Sequence, residues 1–286
     1  MDSTSTAFTG VGGRRVNRRL RTLVLTAFLA AVLVGTYVFG FFITEQDVAP
    51  DFARTGLPPS WEYPFGTDWL GRNMFYRTIK GLTLSVTVGV VASAAAAVVA
   101  TVVGISAAIG GPKVDAVINW LIDLVMGVPH LVLLILISFA LGGGLKGIIV
   151  GIAATHWTGL ARVVRADALQ IRNQRYTTVS RQLGRGPIWV MGQHVLPHVI
   201  PQFVVGLVLL FPHAILHESA LSFLGFGLPP EDPSIGIILS ESMKYLLSGM
   251  WWLAIFPGVA LALMVIGFDA LGDNLKTLLD PFSAQE

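Results

Sequence analysis

Residues 82–109 read LTLSVTVGVVASAAAAVVATVVGISAAI, a run without a single Asp, Glu, Lys or Arg. A helix of about 20 apolar residues crosses the hydrocarbon core of a bilayer, so this run is long enough to span a membrane. Lipid offers no partner to an unpaired backbone amide, and the run lacks the alternation typical of a barrel strand. The stretch therefore predicts a transmembrane helix, and its alanines at 92–97 offer the small surface that close helix packing needs.

The composition extends this interpretation to the whole chain. Of 286 residues, 53% are hydrophobic and only 13% charged, far from the roughly 25% charged residues of soluble domains. Six apolar segments are long enough to span a bilayer, and we expect an all-α, polytopic membrane protein. The predicted spans are residues 23–43, 82–109, 114–141, 147–164, 199–224 and 250–271.

The basic residues predict the orientation. Five arginines precede the first span, at 14, 15, 18, 19 and 21, and anchor residues 1–22 in the cytoplasm. The long first segment has no small-residue cleavage site, so we interpret it as an uncleaved span over residues 23–43. Six spans return the C-terminus to the cytoplasm, and most Lys and Arg residues then lie inside. The net charge of +2 therefore reflects topology and indicates no nucleic-acid partner. Zero cysteines exclude disulfides and thiolate metal ligands.

Two polar segments interrupt the spans. Residues 44–80 are predicted to lie outside and end in FGTDWLGRNMFYRTIKG, where Thr67 or Asp68 would cap a short amphipathic helix. A plain extracytoplasmic loop is the alternative that composition favours. Residues 165–198 are predicted to lie in the cytoplasm. There we expect a short helix up to Leu183, a glycine turn, and another short helix that ends before Pro197. Such a knob would dock a partner protein, and a solvated basic loop is the alternative.

The motif YTTVSRQLG followed by HVLP resembles the cytoplasmic docking loop of binding-protein-dependent ABC importer permeases. In that family a Glu-Ala-Ala triplet precedes a glycine and a later proline. Thr178, Val179 and Ser180 occupy the triplet here, Gly184 the glycine and Pro197 the closing proline. FGTDWLGRNMFYRTIKG, ESALSFLGFGLPPEDPSIGIILSES and the last span with its tail are similar to the dipeptide, oligopeptide and nickel class. The chain is closest in pattern to the second of the two permease subunits.

The resemblance implies a type I ABC importer permease fold, with a permease core at residues 81–281. It implies four kinds of partner: the lipid bilayer, a sister permease subunit, two ATP-binding subunits and an extracytoplasmic solute-binding protein. ATPase docking is expected at Tyr176, Thr178, Val179, Ser180, Gly184, His194 and Pro197. The residues agree that this chain is no ATPase, because a phosphate-binding loop needs a Gly-Lys pair and no lysine here follows a glycine. We therefore expect no cofactor in this chain, with ATP and Mg bound by partner subunits, and no enzyme activity. The expected location is the inner membrane.

The stretch FPHAILHESALSFLGFG, residues 211–227, places His213, His217 and Glu218 inside a predicted span. Ionisable groups are costly in a bilayer and usually face the bundle interior or a watery path. Three interpretations stay open. An intramembrane metal-dependent hydrolase would need H-E-x-x-H, but Leu221 replaces the second histidine. The imidazoles are otherwise interhelical hydrogen-bond partners, or they line the translocation path.

A translocation path would include His130 and His156 as further candidates. His213 and His217 would then contact a metal ion transiently, since imidazole suits nickel. Nickel permeases resemble this chain in carrying histidines spaced four apart here, so nickel, a nickel chelate or small peptides are the expected cargo. Di- or oligopeptides alone are the alternative.

Other polar residues have structural interpretations. Asp115, Asp123, Asp269 and Asp273 lie within or near the ends of spans, where an acidic side chain usually finds an arginine or a helix end. Gly142 to Gly144 are predicted to form the tight outer turn between the third and fourth spans.

Overall fold

The computed structural model describes residues 18–279, with side chains from residue 23 to residue 278. The predicted cytoplasmic segment 1–22 and the end of the core, 280–281, therefore lie largely outside the described residues. Ten α-helices form this part of the chain: Arg18–Phe42 (α1), Met74–Ile109 (α2), Pro112–Met126 (α3), His130–Ala140 (α4), Gly144–Arg172 (α5), Arg175–Gln182 (α6), Pro187–Val190 (α7), Leu196–Phe223 (α8), Ile235–Met243 (α9) and Trp252–Leu279 (α10).

The all-α, polytopic class is confirmed within the described residues. Five helices are long and apolar enough to cross a membrane, and the number is six if a bent pair of shorter helices counts as one span. A single isolated bridge, between Thr67 and Asn73, is the β-structure of the described part.

The third span differs from its prediction as one helix over 114–141. It consists of α3 and α4, which meet at a bend of 94°. Pro129 causes the break, because proline disfavours the helical conformation of the residue before it and lacks the amide hydrogen that a continuing helix needs. The span is therefore discontinuous in the middle.

The core surrounds α2, which packs mainly against α5 and α8. Ala92, Ala96, Ala97 and Ala100 are fully buried on it, as the alanine-rich sequence predicts. A Cβ added to Gly104 would lie 2.6 Å from the carbonyl oxygen of Ala161 on α5. Small residues thus let the backbones of α2 and α5 approach closely.

The polar segment before α2 is built differently from the amphipathic helix considered for it. Residues 67–73 form a turn, and α2 begins at Met74 with Asn73 as its cap, whose Oδ1 accepts a hydrogen bond from the amide of Phe75 at 3.0 Å. Thr67 and Asp68 are fully buried and cap no helix. The favoured loop interpretation agrees with this turn, apart from a short 3₁₀ helix at Phe52–Arg54.

The segment predicted to be cytoplasmic, residues 165–198, also departs from its predicted structure. Helix α6 ends in a turn at Gly184, which has φ of +82°. Helix α7 does not end before Pro197 but continues through a π-type turn, Met191–Val195, into α8. The wide turn lets the chain keep a helical path up to Pro197, which lies in the first turn of α8.

Candidate functional site: a histidine cluster and a docking surface

Three histidines converge beside the break in the third span. His130 opens α4, His156 lies midway along α5, and His217 lies on α8. The ring centroids are 4.4 Å apart for His130 and His156, 4.8 Å for His130 and His217, and 4.9 Å for His156 and His217. One ring nitrogen from each histidine lies within 4.8 Å of the other two. All three side chains are half-buried.

The orientation of His156 is set by the backbone of its own helix. Its Nδ1 lies 3.1 Å from the carbonyl oxygen of Ile152 and 3.1 Å from the hydroxyl oxygen of Thr155, and because a carbonyl only accepts, the Ile152 contact is a hydrogen bond in the tautomer that carries the proton on Nδ1. Its Nε2 then presents a lone pair towards the Nε2 of His130, 3.3 Å away. The hydrogen bond from Nδ1 to the backbone holds the ring in place, as backbone contacts do for metal-ligating histidines.

His213, the predicted partner of His217, lies outside the group of three histidines. His213, four residues earlier on α8, is exposed and does not belong to the three-histidine cluster. Three of the predicted path candidates, His130, His156 and His217, are thus brought together, and the transient metal pair of His213 and His217 stays a prediction. The spacing of four along one helix reveals a shared face, whereas contacts between helices require the tertiary packing.

Glu218 lies apart from the histidines. Its side chain is fully buried and accepts hydrogen bonds from the hydroxyls of Ser222 at 2.9 Å and Ser219 at 3.2 Å. The Ser222 hydroxyl also accepts from the amide of Leu228 at 3.1 Å. Glu218 therefore fastens the end of α8 to the chain that follows it.

A buried ion-pair network, missed from the sequence, joins the start of α2 to α9. The side chain of Asp68 is fully buried, and its Oδ2 lies 2.6 Å from Nε of Arg72 and 3.3 Å from Nη1 of Arg77. Arg77 also pairs with Glu241 of α9 at 2.5 Å. The sequence signal was the cluster of opposite charges at 68–77 beside an apolar run, which indicates pairing rather than a helix cap.

The predicted docking residues surround the turn after α6. Ser180 Oγ lies 2.9 Å from Nε2 of His194, and the ring of Tyr176 lies 5.2 Å from that of His194. A Schellman motif ends α6: the amide of Arg185 donates to the Ser180 carbonyl at 3.1 Å and that of Gly184 to the Arg181 carbonyl at 2.9 Å. Thr178 and Ser180 lie on this helix and Pro197 at the start of α8.

An apolar surface is exposed around this turn. We call it the docking surface and define it by Tyr176, Val179, Leu183, Ile188 and Trp189, which are exposed by 38% to 77% of their area. Arg185 lies over the ring of Trp189 at 4.8 Å. Exposed apolar side chains rimmed by charge are typical of a protein interface.

The acidic residues in the spans are partly explained. Asp115 pairs with Arg165 at 2.5 Å and Asp123 with Arg162 at 2.5 Å, which confirms arginine partners for these two. In the part of the chain that the structure describes, Asp269 and Asp273 form no ion pair.

The glycine turn is confirmed. Gly142, Gly143 and Gly144 all have positive φ, and the amide of Gly144 donates to the carbonyl of Gly227 at 2.9 Å. The turn after α4 is thereby held against the chain that leaves α8.

The spans, the broken third helix and the polar groups between them define a multi-pass helical membrane protein. A family model described as "Binding-protein-dependent transport system inner membrane component" matches residues 100–284, and the chain belongs to that family. It is a permease subunit of a binding-protein-dependent importer, and hence a transporter component rather than an enzyme.

The relatives are peptide permeases by name. The dipeptide transport system permease protein DppC of Bacillus subtilis is 33% identical over 277 residues, which cover 97% of this chain and 87% of the relative. A protein described as a peptide transport system permease from Brucella suis is 31% identical and covers 94% of this chain and 90% of its own length. A second Brucella suis protein, described as a peptide permease, is 34% identical over 96% of this chain and 92% of its own length.

Proposed function

We propose that this chain forms half of the translocation path of an ATP-driven importer of small peptides. The cargo follows from the names of the relatives, three of which are peptide permeases covering nearly all of this chain. The other half of the path belongs to a sister permease subunit. An extracytoplasmic solute-binding protein delivers the peptide, and both termini of this chain lie in the cytoplasm.

The connection between the docking surface and the histidine-bearing helices carries the proposal. Helix α6 follows α5 after two residues, and α7 runs through the π turn into α8. The hydroxyl of Thr177 on α6 donates to the carbonyl of Ile171 on α5 at 2.9 Å. A force on α6 and α7 therefore acts directly on the two helices that carry His156 and His217.

The mechanism is alternating access. Two ATP-binding subunits hold ATP and Mg, and their closure moves the docking surface. The two permeases then rock against each other and open the path to the outside. This chain holds no resident cofactor and makes and breaks no covalent bond.

Nickel, free or as a chelate, is a second candidate cargo. One observation favours it: three imidazoles within contact distance at the break of a span, since imidazole suits nickel. The names of the relatives favour peptides, so peptide cargo is the first candidate.

The test of docking uses one substitution and a matched control. Leu183→Asp places a charge in the docking surface, at a side chain that is 77% exposed. Leu247→Asp changes an equally apolar and fully exposed side chain in the short 3₁₀ helix Leu246–Ser248, between α9 and α10. We expect Leu183→Asp to reduce the amount of ATPase that co-purifies with the permease and Leu247→Asp to leave it unchanged. If both variants retained as much co-purifying ATPase as the wild type, the ATPase would dock elsewhere on the permease.

The test of cargo is uptake by cells that express the whole transporter and lack other importers of peptide and nickel. We expect uptake of a labelled dipeptide that depends on the solute-binding protein. Uptake of radioactive nickel that excess dipeptide does not inhibit, without any dipeptide uptake, would overturn peptide cargo in favour of the metal.

A further inference from the structure

We propose that His130, His156 and His217 form a binding site for a divalent first-row transition-metal ion of the nickel, copper or zinc class. The site deepens the proposed function, on which it rests for one point: the ion arrives as cargo, free or chelated by a small peptide. Binding itself is a property of the three side chains and is testable without transport.

The distances between the rings fit a shared ion. Two nitrogen ligands at about 2.0–2.1 Å from a tetrahedral metal are separated by roughly 3.3–3.4 Å. The Nε2 atoms of His130 and His156 are 3.3 Å apart, so this pair already forms one edge of a tetrahedron. The nitrogen of His217 lies within 4.8 Å of both, so its ring has to move closer to complete the set.

The Nε2 atoms of His130 and His156 lie within hydrogen-bond distance of each other, so one ring carries a proton between them and releases it when both nitrogens bind a metal. The carbonyl of Ile152, 3.1 Å from Nδ1 of His156, holds the proton of that ring on Nδ1 when its Nε2 is a metal ligand. Three imidazoles select ions of intermediate softness and disfavour Mg²⁺ and Ca²⁺, which prefer oxygen. Each ring comes from a different helix, so an ion would bridge α4, α5 and α8.

The surroundings favour exchange over permanent binding. The three side chains are half-buried, so at least one coordination position stays open to water or a chelator. Glu218, the nearest carboxylate in sequence, is held by Ser219 and Ser222. His130 stands at the first turn of α4, whose positive dipole end opposes a cation. Three neutral ligands against that dipole give modest affinity, as an ion that must leave again requires.

The first experiment measures metal binding to the whole transporter complex, purified in detergent through an affinity tag that contains no histidine. Equilibrium dialysis against Ni²⁺ alone gives the number of sites and the affinity. The variants are His130→Ala, His156→Ala and His217→Ala, and the matched control is His198→Ala, a histidine in the first turn of α8 that lies outside the cluster. Thermal unfolding and complex size verify that each variant is folded.

We expect saturable binding by wild type, a loss of affinity of at least about tenfold in each cluster variant, and no change in His198→Ala. The absence of saturable binding by wild type would overturn the site. So would a loss in His198→Ala with wild-type affinity in the three cluster variants.

A second measurement needs no variant. Co²⁺ added to wild-type complex should change its visible absorption from that of the aqua ion to that of a nitrogen-ligated ion, and Ni²⁺ should reverse the change by competition. An unchanged aqua spectrum at saturating Co²⁺ would contradict the site even if a cluster variant failed to fold.

The source of the ion is separated by two uptake assays, with Ni²⁺ alone and with Ni²⁺ bound to the dipeptide Gly-His. Uptake of the first identifies the free ion, and uptake of the second alone identifies the chelate. Failure of the site and failure of the proposed function are distinguishable. Dipeptide uptake without metal binding would support the peptide importer and overturn the metal site. Metal binding without dipeptide uptake would support the metal site and overturn the peptide importer.

Discussion

Arg77 at the start of α2 and Glu241 on α9 are 164 residues apart in sequence, yet Nη2 of Arg77 lies 2.5 Å from Oε2 of Glu241. Arg77 is nearly inaccessible, with 3% of its side chain exposed, and it also pairs with the fully buried Asp68. One guanidinium therefore holds the entry to the first long core helix against the short helix before the last span.

Replacing Arg77 with Met is expected to destabilise the protein by about 3 kcal/mol, because it leaves buried Asp68 with Arg72 as its remaining partner. The control is Arg54→Met. Arg54 pairs with Asp51, and both side chains are about half exposed, so its loss should cost about 1 kcal/mol or less. Thermal unfolding of the purified complex measures both. Equal unfolding temperatures for the two variants would contradict a structural role for the Arg77 network.

Glu218 should tolerate glutamine better than leucine. A glutamine side-chain oxygen still accepts the hydrogen bond from Ser222, whereas leucine leaves the buried hydroxyls of Ser219 and Ser222 without this partner, at a cost of about 1–3 kcal/mol. The yield of folded complex and its unfolding temperature measure the difference. If Glu218→Leu has the yield and unfolding temperature of the wild type, and Glu218→Gln is folded but does not transport, the carboxylate acts in the translocation path instead.

Close packing at Gly104 should make that position intolerant of larger residues. A Cβ there would lie 2.6 Å from a backbone oxygen of α5, whereas a Cβ at Gly35 on α1 would meet nothing within 4 Å. We expect Gly104→Val to cost about 1–3 kcal/mol or more through overpacking, and Gly35→Val to be close to neutral. Thermal unfolding of the two variants provides the comparison, and a neutral Gly104→Val would mean that α2 and α5 separate more easily than their contacts imply.

Apolar length alone predicts where five of the spans lie, since an uninterrupted run of about 20 residues has few alternatives in a membrane protein. It does not predict the bend at Pro129. The proline is visible in the sequence, but Pro201 and Pro212 lie inside α8 without ending it, so the tertiary packing decides which proline breaks a helix.

The histidine cluster shows the same limit for the candidate site. Periodicity places His213 and His217 on one face of a helix, but nothing local brings His130 and His156 to His217. The buried ion-pair network is a second example: Asp68 resembles an N-cap as a short acidic residue before a helix, but it pairs with Arg72 and Arg77, and Arg77 pairs in turn with the distant Glu241. Local rules give the correct residue types here, and long-range pairing decides their roles.

The turn that ends α6 offers a test in which geometry alone differs between two glycines. Gly184 has φ of +82°, and Gly186 two residues later has φ of −69°. A Cβ on either would meet nothing within 4 Å, so space does not distinguish them. A β-branched side chain in the left-handed region costs about 1–2 kcal/mol, and Gly184→Val should therefore loosen the Schellman turn, while Gly186→Val should fit the extended backbone already present. We expect faster amide hydrogen exchange at residues 183–185 and less co-purifying ATPase in Gly184→Val, with both near wild type in Gly186→Val. Loss of ATPase in Gly186→Val with retention in Gly184→Val would show that the start of α7, and not the turn, makes the contact.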